Sequence, residues 1–299
     1  MPKHLFSQVD VFSDLPMLGN PVAVVHDALA EDGSDVDSDI MQAVARWTNL
    51  SETTFVLPPH DAAADYRLRI FTPGGELPFA GHPTLGSCRA WLAVGGVPRD
   101  DQMIVQECEA GLVRIRRDGE RLSFAAPPLI RFGPPEDELR ARVIAALGVG
   151  EESVLDMSWV VNGPPWLGVL LDDAQAVLDL VPDFAAISAL GEVEVGVVGA
   201  YPVGDGPDFE VRAFCPGFGM DEDPVTGSLQ AGLAQWLIGS GVAPRSYVAA
   251  QGTVLGRAGR VSIEAEAVDA HAASRPAEIK DIWVGGEAVL RVAGAIDLS

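Results

Sequence analysis

The strongest constraint on this chain is an internal echo. Arg69-Ile70-Phe71-Thr72-Pro73-Gly74 returns as Arg212-Ala213-Phe214-Cys215-Pro216-Gly217. Each copy ends a strand-like run and leads to a Gly-polar pair, Gly81-His82 or Gly227-Ser228, at the start of a largely apolar helical stretch. A motif repeated in the same setting marks a duplication. The chain therefore reads as two similar β-rich units, each wrapped around one enclosed helix, since a helix apolar on most faces must be surrounded by other structure.

Periodicity fills in the rest. Period-two or β-branched runs predict strands near 6–12, 21–25, 53–57, 66–71, 103–106, 112–116 and 122–125. The enclosed helices are predicted at 83–94, with proline at the start and Gly95-Gly96 at the stop, and at 228–238. Further helices are expected at 39–47, 136–147 and 184–190, and further strands at 158–161, 167–171, 195–203 and 209–215. The Pro/Gly-rich stretch 126–135 is the linker candidate. It divides the chain into an N-terminal half, 1–127, and a C-terminal half, 128–299, with the last strand free to pack back on the first half. The active site is expected in the cleft between the halves, a common place for ligands.

Composition removes several function classes. The net charge of −23 would repel a phosphate backbone, so nucleic acid is not the expected partner. No apolar run reaches the roughly 18 residues of a membrane span, and no leader pattern opens the sequence. Three cysteines without metal-ligand spacing fit a reduced, cytoplasmic setting. The two lysines, Lys3 and Lys280, lie far from the motifs, which disfavours a Schiff-base cofactor. No HExxH, GxGxxG or Walker pattern occurs in a supporting context, so neither a metal nor a nucleotide cofactor is expected.

The chemistry-bearing residues cluster at the helix starts. A helix N-terminus presents unpaired N–H groups and partial positive charge, and Gly81 and Gly227 would let an anion approach the backbone. They are equally readable as ordinary caps. Glu52, in Ser51-Glu52-Thr53-Thr54-Phe55, sits between a helix end and an apolar strand. Desolvation there would raise its pKa and suit it to proton transfer, whereas a surface loop would leave it inert. His82 is a candidate hydrogen-bonder or acid. Asp223 precedes the second enclosed helix, where it also suits the helix dipole. Crowding with Asp221 and Glu222 could raise one of the three pKa values. Asn20, in Gly19-Asn20-Pro21, is a turn residue or a ligand contact. Ala80 and Thr226 stand where a two-thiol racemase would need its bases, and Cys88 and Cys215 read as buried filler.

Taken together these stretches resemble the phenazine-biosynthesis isomerase (PhzF-like) family. The matching pieces are Val9-Asp10-Val11-Phe12, Gly19-Asn20-Pro21, Ser51-Glu52-Thr53, Phe71-Thr72-Pro73, Gly81-His82-Pro83-Thr84 and Glu222-Asp223-Pro224-Val225-Thr226-Gly227-Ser228, with Gln251-Gly252, Gly256-Arg257 and Val284-Gly285-Gly286 near the end. The resemblance implies an α+β, diaminopimelate epimerase-like fold of two pseudo-symmetric halves, each a β-barrel-like sheet around a central helix. It implies Glu52 as proton shuttle, His82, Asp223 and Ser51 as substrate contacts, and Gly81, Gly227 and Ser228 as the anion-binding ends. It implies no metal or organic cofactor, a small carboxylate substrate and a homodimer. Ala80, Pro83 and Leu229-Gln230 depart from the usual pattern beside the site. The expected activity is a cofactor-independent isomerase that moves a proton between carbons of a small carboxylate. The alternatives are a racemase or epimerase on the same fold and a non-catalytic small-molecule binding protein.

Overall fold

A computed structural model describes residues 3–204, 206–218, 220–267 and 279–298. The chain falls into two units, Met1–Phe124 completed by Gly285–Ser299, and Ala125–Val284.

The first unit contains β1 (Lys3–Val11), β2 (Asn20–Val25), α1 (Ser38–Thr48), β3 (Glu52–Leu57), β4 (Tyr66–Phe71), β5 (Glu76–Leu77), α2 (Gly81–Ala93), β6 (Met103–Cys108), β7 (Gly111–Asp118) and β8 (Arg121–Ala125). The α1 crossover makes β2 and β3 parallel, and the α2 crossover does the same for β4 and β6. The pairs β1–β2, β3–β4, β6–β7 and β7–β8 are antiparallel. The chain's final strand bonds to both β1 and β8 and closes an eight-stranded barrel.

Helix α2 packs on β1, β2, β3 and β4 and buries every residue from Gly81 to Cys88. A Cβ on Gly86 would lie 2.3 Å from Val22 Cγ1, so only glycine permits this approach to β2. The helix begins at Gly81, two residues before the proline predicted to start it. Its N-cap, Ala80, has no side-chain capping bond and leaves no polar signal in the sequence. Helix α1 is ordinary by contrast: Asp37 caps it through the Asp39 N–H at 2.8 Å, and Asn49 ends it in the left-handed region.

The second unit contains β9 (Arg131–Gly133), α3 (Asp137–Leu147), β10 (Val154–Val161), β11 (Trp166–Leu171), α4 (Ala174–Leu178), α5 (Phe184–Ser188), β12 (Glu194–Ala200), β13 (Phe209–Phe214), β14 (Glu222–Asp223), α6 (Gly227–Gly239), β15 (Ser246–Gln251), β16 (Gly259–Ala267) and the beginning of β17 (Ile279–Asp297), the final strand noted above. Three short elements of this unit lie where none was expected: β9 inside the proline-rich linker, α4, capped by Asp173, and β14 ahead of α6.

The pairing repeats that of the first unit. β10–β11 is antiparallel, β11–β12 parallel, β12–β13 antiparallel, β13–β15 parallel and β15–β16 antiparallel. Helix α6 takes the place of α2 and packs on β10, β11 and β16. Its apolar residues Leu229, Leu233, Trp236 and Leu237 are all buried.

The sequence echo acquires a physical meaning here. Arg69 forms a two-pronged bond to Glu76, Nε–Oε1 2.7 Å and Nη2–Oε2 2.6 Å, with its guanidinium over Phe71. Arg212 grips Glu222 the same way, at 2.9 and 2.8 Å, over Phe214. Each Arg–Glu clamp fastens a two-residue strand, β5 or β14, to the strand before it. The next residues then correspond one to one: Leu77-Pro78-Phe79-Ala80-Gly81-His82 and Asp223-Pro224-Val225-Thr226-Gly227-Ser228. Among the described residues no helix is long and apolar enough to cross a membrane.

Candidate active site

In the first unit the parallel register of β2 and β3 sets Glu52 opposite Val22, beside the start of β2. The Ser51 hydroxyl donates to Asn20 Oδ1 at 3.4 Å, and Asn20 Nδ2 lies 3.5 Å from His82 Nδ1. His82 Nδ1 in turn lies 3.2 Å from Glu52 Oε2. Four predicted site residues are thus brought together at the first turn of α2. Asn20 and His82 are fully buried, and the Glu52 side chain retains 13% exposure, an opening to a reacting partner.

Burial pushes the His82 imidazole down to about 3, against a weaker opposing effect from its hydrogen bond to the Pro21 carbonyl. The ring is therefore neutral near pH 7 and acts beside Glu52 as a hydrogen-bonding group rather than a cation. Its Nε2 is buried and makes no hydrogen bond to a described residue. Thr84 does not cap α2. Its hydroxyl donates back to the Ala80 carbonyl at 2.8 Å and accepts from Gln106 Nε2 at 3.1 Å. The N–H end of α2 is consequently left without a side-chain cap.

In the second unit Asp223, Gly227 and Ser228 come together at the start of α6. Alternation along β14 sends Glu222 to Arg212 and Asp223 to the other face, so these two acids do not crowd each other. Asp223 Oδ2 accepts from the Thr226 hydroxyl at 2.5 Å. Ser228 Oγ accepts from the Trp166 indole N–H at 3.1 Å, and its carbonyl from Asn162 Nδ2 at 3.0 Å. Helix α6, like α2, has no side-chain cap.

Sequence reasoning missed what holds this turn. The fully buried Gln251 donates to the Asp223 carbonyl (3.1 Å) and the Thr226 hydroxyl (2.9 Å). Its Oε1 accepts from the Thr226 N–H and from Gln230 Nε2, both at 3.0 Å. One amide thus fixes both ends of the 223–226 turn from another strand. Trp166 and Asn162 were also missed, since each acts across more than sixty residues of chain.

A helix enclosed by a sheet, built twice in one chain with a buried Glu–His pair at one helix start, is the diaminopimelate epimerase-like architecture of a class of isomerases and epimerases. The family model described as phenazine biosynthesis-like protein matches residues 9–294. The chain is 34% identical to the trans-2,3-dihydro-3-hydroxyanthranilate isomerase of Pseudomonas aeruginosa, over 88% of this chain and 91% of that one. It is 38% identical to antisense-enhancing sequence 1 of Schizosaccharomyces pombe, over 98% and 99%. A crystal structure of a PhzF-family phenazine biosynthesis protein from Enterococcus faecalis superposes with a TM-score of 0.76 at 26% identity, covering 99% of this chain and 100% of the other. The chain belongs to the PhzF family of phenazine biosynthesis-like proteins, and it is an isomerase.

Proposed function

We propose that this isomerase moves a proton between two carbons of a small, unsaturated or hydroxylated carboxylate without a cofactor, with Glu52 as the shuttle. The Glu52–His82 contact carries this reading: a mostly buried carboxylate 3.2 Å from an imidazole that burial keeps uncharged. A cationic histidine would pair with the carboxylate and blunt it as a base, whereas a neutral one orients it.

In the proposed reaction the Glu52 carboxylate takes a proton from one carbon, and the electron pair left behind moves into the conjugated system toward the substrate carboxylate. The Glu52 carboxylic acid then returns that proton to the other carbon. Asn20, Ser51 and His82 hold the substrate and the shuttle. Gly81, Gly227 and Ser228, at the starts of two uncapped helices, are the proposed anion-binding groups, with Asp223 contacting the substrate. The P. aeruginosa relative is named for a cyclic hydroxylated amino carboxylate, which fits this substrate class.

The test is incubation in D₂O with trans-2,3-dihydro-3-hydroxyanthranilate and other small cyclic hydroxy-carboxylates, followed by NMR. Deuterium is expected at substrate carbons with the wild type. Glu52→Gln should lower the exchange by about 10²–10⁴-fold, the usual worth of a positioned acid–base group. Tight binding of a panel member by both proteins without any exchange would remove the proton shift and Glu52's part in it.

A further inference from the structure

The repeat gives five strand pairings of one unit a counterpart in the other. Thr53 pairs with Phe71 and Val195 with Phe214, and these phenylalanines are the matching positions of the echoed motif. Glu194 therefore falls on the position of Glu52. Each glutamate opens the strand that runs parallel to its neighbour, Glu52 opposite Val22 and Glu194 opposite Trp166.

The Glu194 side chain faces the first turns of α6. A Cβ on Gly196 would meet Leu229 Cδ1 of α6 at 2.3 Å, and side chains two residues apart on a strand share a face. Trp166, the register partner of Glu194, hands its indole N–H to Ser228 in the opening turn of α6. Glu194 is 4% exposed, and its Oε2 makes no hydrogen bond to a described residue.

Among the described residues the surrounding elements bring Glu194 no counter-charge. Neither β11 nor α6 has a titratable residue. On β13, Glu210 and Arg212 point away from α6, and Arg212 is bound to Glu222. Among the described residues the α6 side shows Cys215, buried, and Asp223, engaged with Thr226, while Glu194 Oε1 lies 3.0 Å from where a Cβ on Gly217 would stand. Burial alone pushes the Glu194 carboxyl up to about 7.

We propose that Glu194 contacts the substrate as a neutral acid, donating its O–H in a hydrogen bond to a carboxylate seated at the N-terminus of α6. This rests on the reading of a small carboxylate substrate given above. An ionised Glu194 would repel that anion, so the site works only with the proton present. The hydrogen bond strengthens as the substrate carboxylate gains electron density and leaves the carbon-to-carbon shuttle with Glu52.

Such a site links anion binding to a proton. Calorimetry of the full chain with anthranilate as probe, in buffers of different ionisation enthalpy, reads this directly. At pH 8 about one proton should be taken up per anthranilate bound, and affinity should fall about tenfold per pH unit above the Glu194 transition. Glu194→Gln keeps the shape and a donor, and should abolish both the uptake and the slope. The exposed neighbour substitution Glu192→Gln should change neither. Without any ligand, infrared spectra at pH 6 should show a protonated carboxyl band that Glu194→Gln removes. Proton uptake that survives in Glu194→Gln, affinity flat from pH 6 to pH 8, absence of anthranilate binding at millimolar concentration, or no such band in the wild type would each overturn the proposal. Binding needs no turnover, so the two readings fail separately. Glu52-dependent exchange with pH-independent binding removes only the Glu194 role, and proton-linked binding without exchange removes only the shuttle.

Discussion

His82 Nδ1 sits 3.2 Å from Glu52 Oε2, and burial keeps the imidazole uncharged down to about pH 3. The sign of the stability effect follows. Below about pH 6.5 the unfolded chain binds a proton at this histidine that the native state refuses, so stability falls with falling pH toward 3. From this group alone the fold should lose roughly 2 kcal/mol between pH 6.5 and pH 5. Urea unfolding at the two pH values checks this, and His82→Asn should flatten that part of the difference.

Glu194 works with the opposite sign. Its native pKa, about 7, lies above the 4.5 of an unburied glutamate. The native state keeps a proton that the unfolded chain releases, so stability declines as pH rises from about 4.5 through 7 and stays lowered above. Glu194→Gln should therefore stabilise the protein at pH 8, by up to about 3 kcal/mol, and the gain should vanish near pH 4.5. Denaturant midpoints of the two proteins across that range test it. A residue that costs stability where it stands is a common mark of a functional position.

The two Arg–Glu clamps have the same geometry and unequal surroundings. The Arg212 and Glu222 side chains are 4% and 5% exposed, while Arg69 and Glu76 are 19% and 31% exposed. Glu222→Ala would strip the buried Arg212 of its hydrogen-bonded carboxylate, leaving it bonded to the Val177 and Leu180 carbonyls, and should cost about 3–5 kcal/mol. Glu76→Ala should cost about 1 kcal/mol or less. Chemical unfolding of both variants at one pH compares them.

Gly252 follows Gln251 in a left-handed conformation, φ +87°, and a Cβ there would lie 2.6 Å from the Pro224 carbonyl oxygen. Gly252→Ala should cost at least about 2 kcal/mol from backbone strain and the collision together. It should also loosen the turn that Gln251 braces, visible as faster amide exchange at Thr226 than in Gly256→Ala, whose Cβ would meet nothing within 4 Å.

Much of this was legible because it is local. The Arg-x-Phe echo, the two enclosed helices and the Glu52, His82 and Asp223 positions all lie in short motifs. Glu194 was not legible. In Glu192-Val193-Glu194-Val195 it alternates with valines as a solvent-facing strand residue would, and only the packing of α6 over Gly196 turns that face inward. The Gln251 brace was invisible for a related reason, since its partners lie 21–28 residues away in sequence. Ala80 hid the true start of α2 because an uncapped helix end has no characteristic residue.

The final strand supplies the first barrel with the pairing partner of both β1 and β8, yet residues 126–278 are synthesised in between. On the ribosome the nascent first unit is a barrel with a gap, its β1 and β8 edges unsatisfied until the second unit has emerged. Maturation of the Glu52 unit thus waits on translation of Gly285–Asp297, and a nonsense codon near Gly285 would spoil the N-terminal barrel while sparing most strands of the unit made just before it.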